Sequence, residues 1–85
     1  MLASARITLN GGRVRVDDID ARGGSLAARG LFGARGGSQL GAFVIESGAL
    51  SVGVQVDPEG AHVRLFGLDG WLEEEKAKVG RQIGP

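Results

Sequence analysis

Cysteine is absent from the 85 residues, which excludes a disulfide framework, a thiolate nucleophile and a cysteine-based zinc site. A charge excess of either sign is absent too: ten basic residues balance ten acidic ones, without the basic surplus that phosphate binding demands, so nucleic acid is not expected as a partner. Long apolar runs are missing. The longest, Ala42 to Ile45, has the length of a strand and not of a spanning helix, which needs about 20 residues. The opening Met-Leu-Ala-Ser-Ala-Arg lacks the basic stretch and apolar segment of a secretory signal. With alternation already under way at Ile7 and Leu9, the expectation is a single β-rich domain or fragment over residues 1–85; so abrupt a start suits a fragment, and a complete domain that begins with a strand fits it too.

Glycine is plentiful at 16 residues, in a composition that is 42% apolar and 24% charged and otherwise globular. Period-two alternation dominates. Ile7 and Leu9 share a face, Asn10-Gly11-Gly12 supplies a hairpin turn, and Val14 and Val16 continue beyond it, pairing Ala5–Asn10 with Arg13–Ile19. Arg6, Thr8, Arg13 and Arg15 make the other face polar. A weaker strand is expected over Ser25–Arg29. In Leu40–Ser47 both faces are apolar, with Leu40, Ala42 and Val44 opposing Phe43 and Ile45, as in a strand covered on both sides. Leu50, Val52, Val54 and Val56 alternate with polar or small residues; Asp57-Pro58-Glu59-Gly60 turns the chain, and Val63 and Leu65 return on one face.

The period then changes. Asp69 is placed to cap a helix, Glu73 to Glu75 suit its first turns, Lys78 follows Glu74 by four, and Gly80 suits its end. The organisation expected is a β-meander over 1–68 and a helix over 69–80. Trp71, Leu72 and Val79 form its apolar stripe, and so short a helix must dock to be stable. Ala21-Arg22-Gly23-Gly24-Ser25 recurs thirteen residues later as Ala34-Arg35-Gly36-Gly37-Ser38, read as two similar turns between strands. Residues 1–40 hold six Arg against three Asp, a balance of +3. Residues 41–85 hold four basic and seven acidic residues, a balance of −3; both read as solvated faces.

No motif carries chemistry. The Arg-Gly-Gly triplets separate strands and do not form a disordered RNA-binding tract. Asp17, Asp18 and Asp20 lack the further oxygens and the following Glu of a calcium loop, so no metal is assigned. His62 is the only histidine, Gly-x-Ser-x-Gly is absent, and Gly30-Leu31-Phe32-Gly33 lacks nucleotide-loop spacing. An enzyme and a cofactor are therefore not expected.

The stretch from Ile7 to Gly30 resembles repeat units of AsmA-like and TamB-like bacterial envelope proteins, and is similar to repeats of the type II secretion component N group. The matching positions are Ile7, Leu9, Gly11, Gly12, Val14, Val16, Asp18, Ile19, Gly23, Gly24, Leu26, Ala28 and Gly30. The resemblance implies a curved β-groove in the envelope or periplasm that shields lipid acyl chains. No membrane anchor is expected within these residues, and the expected terminal helix has no counterpart in that pattern.

The expected fold is thus an all-β antiparallel meander, a curved open sheet of six or seven strands with one short C-terminal α-helix. Phe43, Leu50, Val52, Val54, Val63, Leu65 and Trp71 are the expected contact residues. Their partner would be phospholipid, a neighbouring β-repeat or a protein subunit, which includes a homo-oligomer. The other expectation is a structural module that self-assembles through sheet edges or through its apolar face.

Overall fold

Five short reversals set the architecture, because each leaves the chain only two residues in which to turn back. The computed structural model describes residues 1–84, and within them six strands follow one another in a single antiparallel sheet: β1 (Leu2–Asn10), β2 (Arg13–Gly23), β3 (Leu26–Arg35), β4 (Ser38–Ser47), β5 (Leu50–Asp57) and β6 (Gly60–Arg64). Every strand pairs with its neighbours in sequence, so β1 and β6 are the two edges of an open meander. The first turn has two glycines at positive φ, Gly11 and Gly12, while Gly24, Gly36 and Gly48 each open a turn with φ near 60°. Those are the positions where right-twisted hairpins need a residue free of Cβ. In the fifth turn the Asp57 carboxylate accepts the amides of Glu59 (2.8 Å) and Gly60 (3.1 Å).

The third strand runs on to Arg35, well past the expected Arg29. The two Ala-Arg-Gly-Gly-Ser copies are one residue out of phase. Gly23 pairs with Leu26 around Gly24-Ser25, whereas Arg35 pairs with Ser38 around Gly36-Gly37.

A bulge in β2 keeps the faces consistent. From Val16 to Ile19 the strand advances three residues while β3 advances two, from Phe32 to Gly30. Against β1 the same excess appears between the pairs Arg6–Asp17 and Ser4–Asp20. Asp18 is the extra residue, at φ 53°, and its carboxylate meets Arg6 at 3.3 Å. With that extra residue strict alternation would turn Ile19 away from Val14 and Val16; the bulge absorbs it and returns Ile19 to their side.

Helix α1 (Trp71–Gln82) lies across β3 and β4. Leu31 and Leu40 pack against Val79 and Ile83, while Ala42 and Val44 pack against Trp71, with Leu68 and Leu72 at the margin. Two glycines make room for it. A Cβ on Gly33 would stand 2.9 Å from Val79 Cγ1, and one on Gly53 would stand 2.9 Å from the Trp71 ring. Arg15, only 8% exposed, holds the far end by donating to the Gly84 carbonyl at 3.1 Å and to Asp17 at 2.6 Å. A cation there also suits the negative end of the helix dipole.

The helix differs from expectation at both ends. Its N-cap is Gly70 at φ 72°, with no side-chain cap, so Asp69 does not cap it. Nor does Gly80 stop it: the helix continues to Gln82, because Ile83, fully buried, extends the apolar stripe by one more turn. The meander accordingly ends at Arg64, residues 65–70 form a connection, and the helix spans 71–82 in place of 69–80.

Candidate functional site

Cross-strand pairing sorts the sheet into two unlike faces. The helix-bearing face carries the sheet's ion pairs, Arg6–Asp18, Arg15–Asp17, Arg22–Asp20 and Arg29–Glu46, and the contact of His62 with Asp57. The opposite face is built of apolar side chains in transverse rows. One row crosses all six strands as Ile7, Val16, Phe32, Gly41, Val56 and Ala61, each paired with the next. A second runs Ile19, Gly30, Phe43, Val54, Val63, and a third runs Ala3, Ala21, Ala28, Ile45, Val52. No charged side chain interrupts these rows.

At the centre the two phenylalanines cover two glycines reciprocally. Phe43 pairs with Gly30 and Phe32 with Gly41. A Cβ on Gly41 would meet the Phe32 ring at 3.1 Å, and one on Gly30 would collide with the Phe43 ring and the Ala42 carbonyl. The rings therefore lie down on the backbone and leave a broad surface without a deep pocket. Nothing among the described residues covers it. Ile7, Leu9, Leu50 and Val63 are each about two-thirds or more exposed, at 66%, 73%, 74% and 67%. Isolated exposed leucines are ordinary in soluble proteins, but a contiguous apolar face of this extent is characteristic of a binding surface.

Phe43, Leu50, Val52, Val54 and Val63 thus share this face, with Phe43, Val52 and Val54 half-buried by their neighbours. Leu65 is exposed in the connection beyond β6. Trp71 is not part of the surface: it is 6% exposed on the opposite side, and Arg64 stands over its ring at 5.9 Å. Its position follows from Gly53, which faces away from Val52 and Val54. Reading the residues one run at a time also missed the width of the face. Ile7, Val16, Ile19 and Phe32 join it, and the three-residue step from Val16 to Ile19 was the signal of the bulge that unites them.

The acidic cluster is neutralised residue by residue. Asp17, Asp18 and Asp20 each meet a different arginine, at 2.6, 3.3 and 3.0 Å. The Arg22 hydrogen bond holds the Asp20 carboxyl below the usual aspartate range. No group of three or more His, Cys, Asp or Glu among the described residues is arranged to hold a metal ion. His62 is engaged with Asp57 at 3.2 Å on the exposed edge strand. No helix among the described residues is long and apolar enough to cross a membrane.

Compared with protein-family models, with curated proteins and with solved structures, the chain matches none.

Proposed function

We propose that this chain is a non-enzymatic module of the cell envelope, the end of a lipid-shielding β-groove, whose open sheet face receives the acyl chains of a phospholipid. One observation carries the reading: the helix docks on the charged side, over β3 and β4, and leaves the apolar face bare. Hydrocarbon requires no directional partner, only removal of apolar surface from water, worth about 25 cal/mol per Å². With the sheet's ion pairs on the other side, such a ligand keeps its headgroup in solvent and lays its chains across the rows through Val54 and Val56. The likeness of residues 7–30 to AsmA-like repeats supports the envelope setting.

The test is photocrosslinking in cells from Val52 or Val63, with Ser51, on the opposite face, as the control position. Phospholipid captured from Val52 and Val63 but not from Ser51 is the expected result; labelling of protein alone removes the proposal.

A further inference from the structure

The molecule exposes more surface than its mass warrants. Its accessible area is 5548 Å² for 8.8 kDa. A compact monomer of that mass exposes about 4,800 Å², so the excess is about 750 Å². That is close to the roughly 800 Å² which each partner contributes to a standard protein interface. Part of that excess lies on the open side: α1 covers β3 and β4 on one side, nothing among the described residues covers the other, and Ile7, Leu9, Leu50 and Val63 are left exposed there.

We infer that, without lipid, a second copy of this chain covers the apolar face, giving a two-fold dimer in which the two sheets pack face to face. A two-fold interface brings a patch against itself, so the patch must be compatible with itself. The helix-bearing face is poorly suited to it, because self-contact would desolvate its ion pairs around the protruding helix. The open face meets it, because its rows from Ile7 to Ala61 and from Ile19 to Val63 contain no charge to desolvate. The flattened Phe32 and Phe43 rings leave it broad enough for the aligned packing of a β-sandwich, with the sheets about 10 Å apart. The lipid and the second copy then occupy the same face in turn.

Sedimentation equilibrium of the delipidated, detergent-free chain tests this. The expected species has twice the 8.8 kDa mass of one chain. Val54→Lys, at the centre of the face, should weaken the dimer about a hundred-fold or more, since it buries an unpaired charge. Thr8→Lys, on the helix-bearing side, should leave it intact. Circular dichroism of Val54→Lys checks that the strands persist. If that variant does not fold, small-angle scattering of the unmodified chain decides instead. Face-to-face packing thickens the shortest of the 40 × 26 × 20 Å dimensions, and pairing at strand edges lengthens the particle. A monomer at all concentrations, a lipid-loaded monomer only, an open-ended series of oligomers or an elongated dimer each overturns the inference. Crosslinking to lipid in cells is an independent readout, so either proposal can fail while the other stands.

Discussion

Replacing one glycine at a time by alanine tests the seating of α1 against β3. At Gly33 two effects oppose each other. Alanine restricts the unfolded chain and is favoured over glycine within a strand by about 0.5–1 kcal/mol. Its methyl would, however, stand 2.9 Å from Val79 Cγ1 and 3.2 Å from Ile83 Cγ1. Val79 is β-branched and held near one rotamer in a helix, so it cannot swing aside, and overpacking of this kind costs about 1–3 kcal/mol. Gly33→Ala should therefore destabilise the protein by about 1 kcal/mol net. Gly37 is the internal control: its φ is not in the left-handed region, and a Cβ there would have no heavy atom within 4 Å. Gly37→Ala should stabilise by about 0.4–1 kcal/mol. Urea unfolding read by circular dichroism reports the strands, and fluorescence of Trp71, the single tryptophan, reports helix docking. Equal stabilisation by both substitutions would refute the placement of α1 over Gly33.

Three further outcomes follow from the same contacts. Trp71→Ala should cost about 3–5 kcal/mol and abolish most helical signal, as an undocked twelve-residue helix is marginal in water; a loss below about 1 kcal/mol on urea unfolding would contradict its role as anchor. Arg15→Met strands the Asp17 carboxylate and should cost about 3 kcal/mol, with Arg15→Met/Asp17→Leu recovering much of it; a double variant no better than the single one would count against the buried pair. The amides of Glu59 and Gly60, together with the His62 pairing, hold the Asp57 carboxyl below its ordinary value of 3.8. The unfolded chain protonates first, so this contribution is complete above 3.8 and is lost as pH falls through the lower folded value. Asp57→Asn should be less stable than the unmodified chain at neutral pH, and a urea-midpoint gap that does not narrow in acid would show that the charge is irrelevant.

The strands and turns are legible because their causes are local. Val52, Val54 and Val56 alternate within one run, and Asn10-Gly11-Gly12 or Asp57-Pro58-Glu59-Gly60 specifies a reversal by its own backbone preferences. The side on which the helix lies is not legible in that way. It depends on what is missing at Gly33 and Gly53, and a pattern of apolar side chains contains no mark for a space left by two distant glycines. In the sequence Trp71 fits both an exposed site and a helix anchor, and the register of β4 with β5, which turns Gly53 toward the helix, separates the two. Five of the expected contact residues do share one face. The breadth of that face is not legible because it requires that Val16, Phe32 and Val56 stand in one row, a long-range consequence of pairing three hairpins in succession.

The bulge at Asp18 gives this small sheet a reading frame. Ahead of it in β2, even-numbered residues look toward the open side; beyond it, odd-numbered ones do. Deleting this single aspartate would only remove the bulge, since Val16, Asp17 and Ile19 would then alternate strictly against Phe32, Leu31 and Gly30; one residue inserted into the regular part of β2 would instead act as a frameshift does in a message, delivering Asp20 and Arg22 to the oily side. The bulge is therefore what lets β2 carry one residue more than its neighbours oppose without exchanging its two faces.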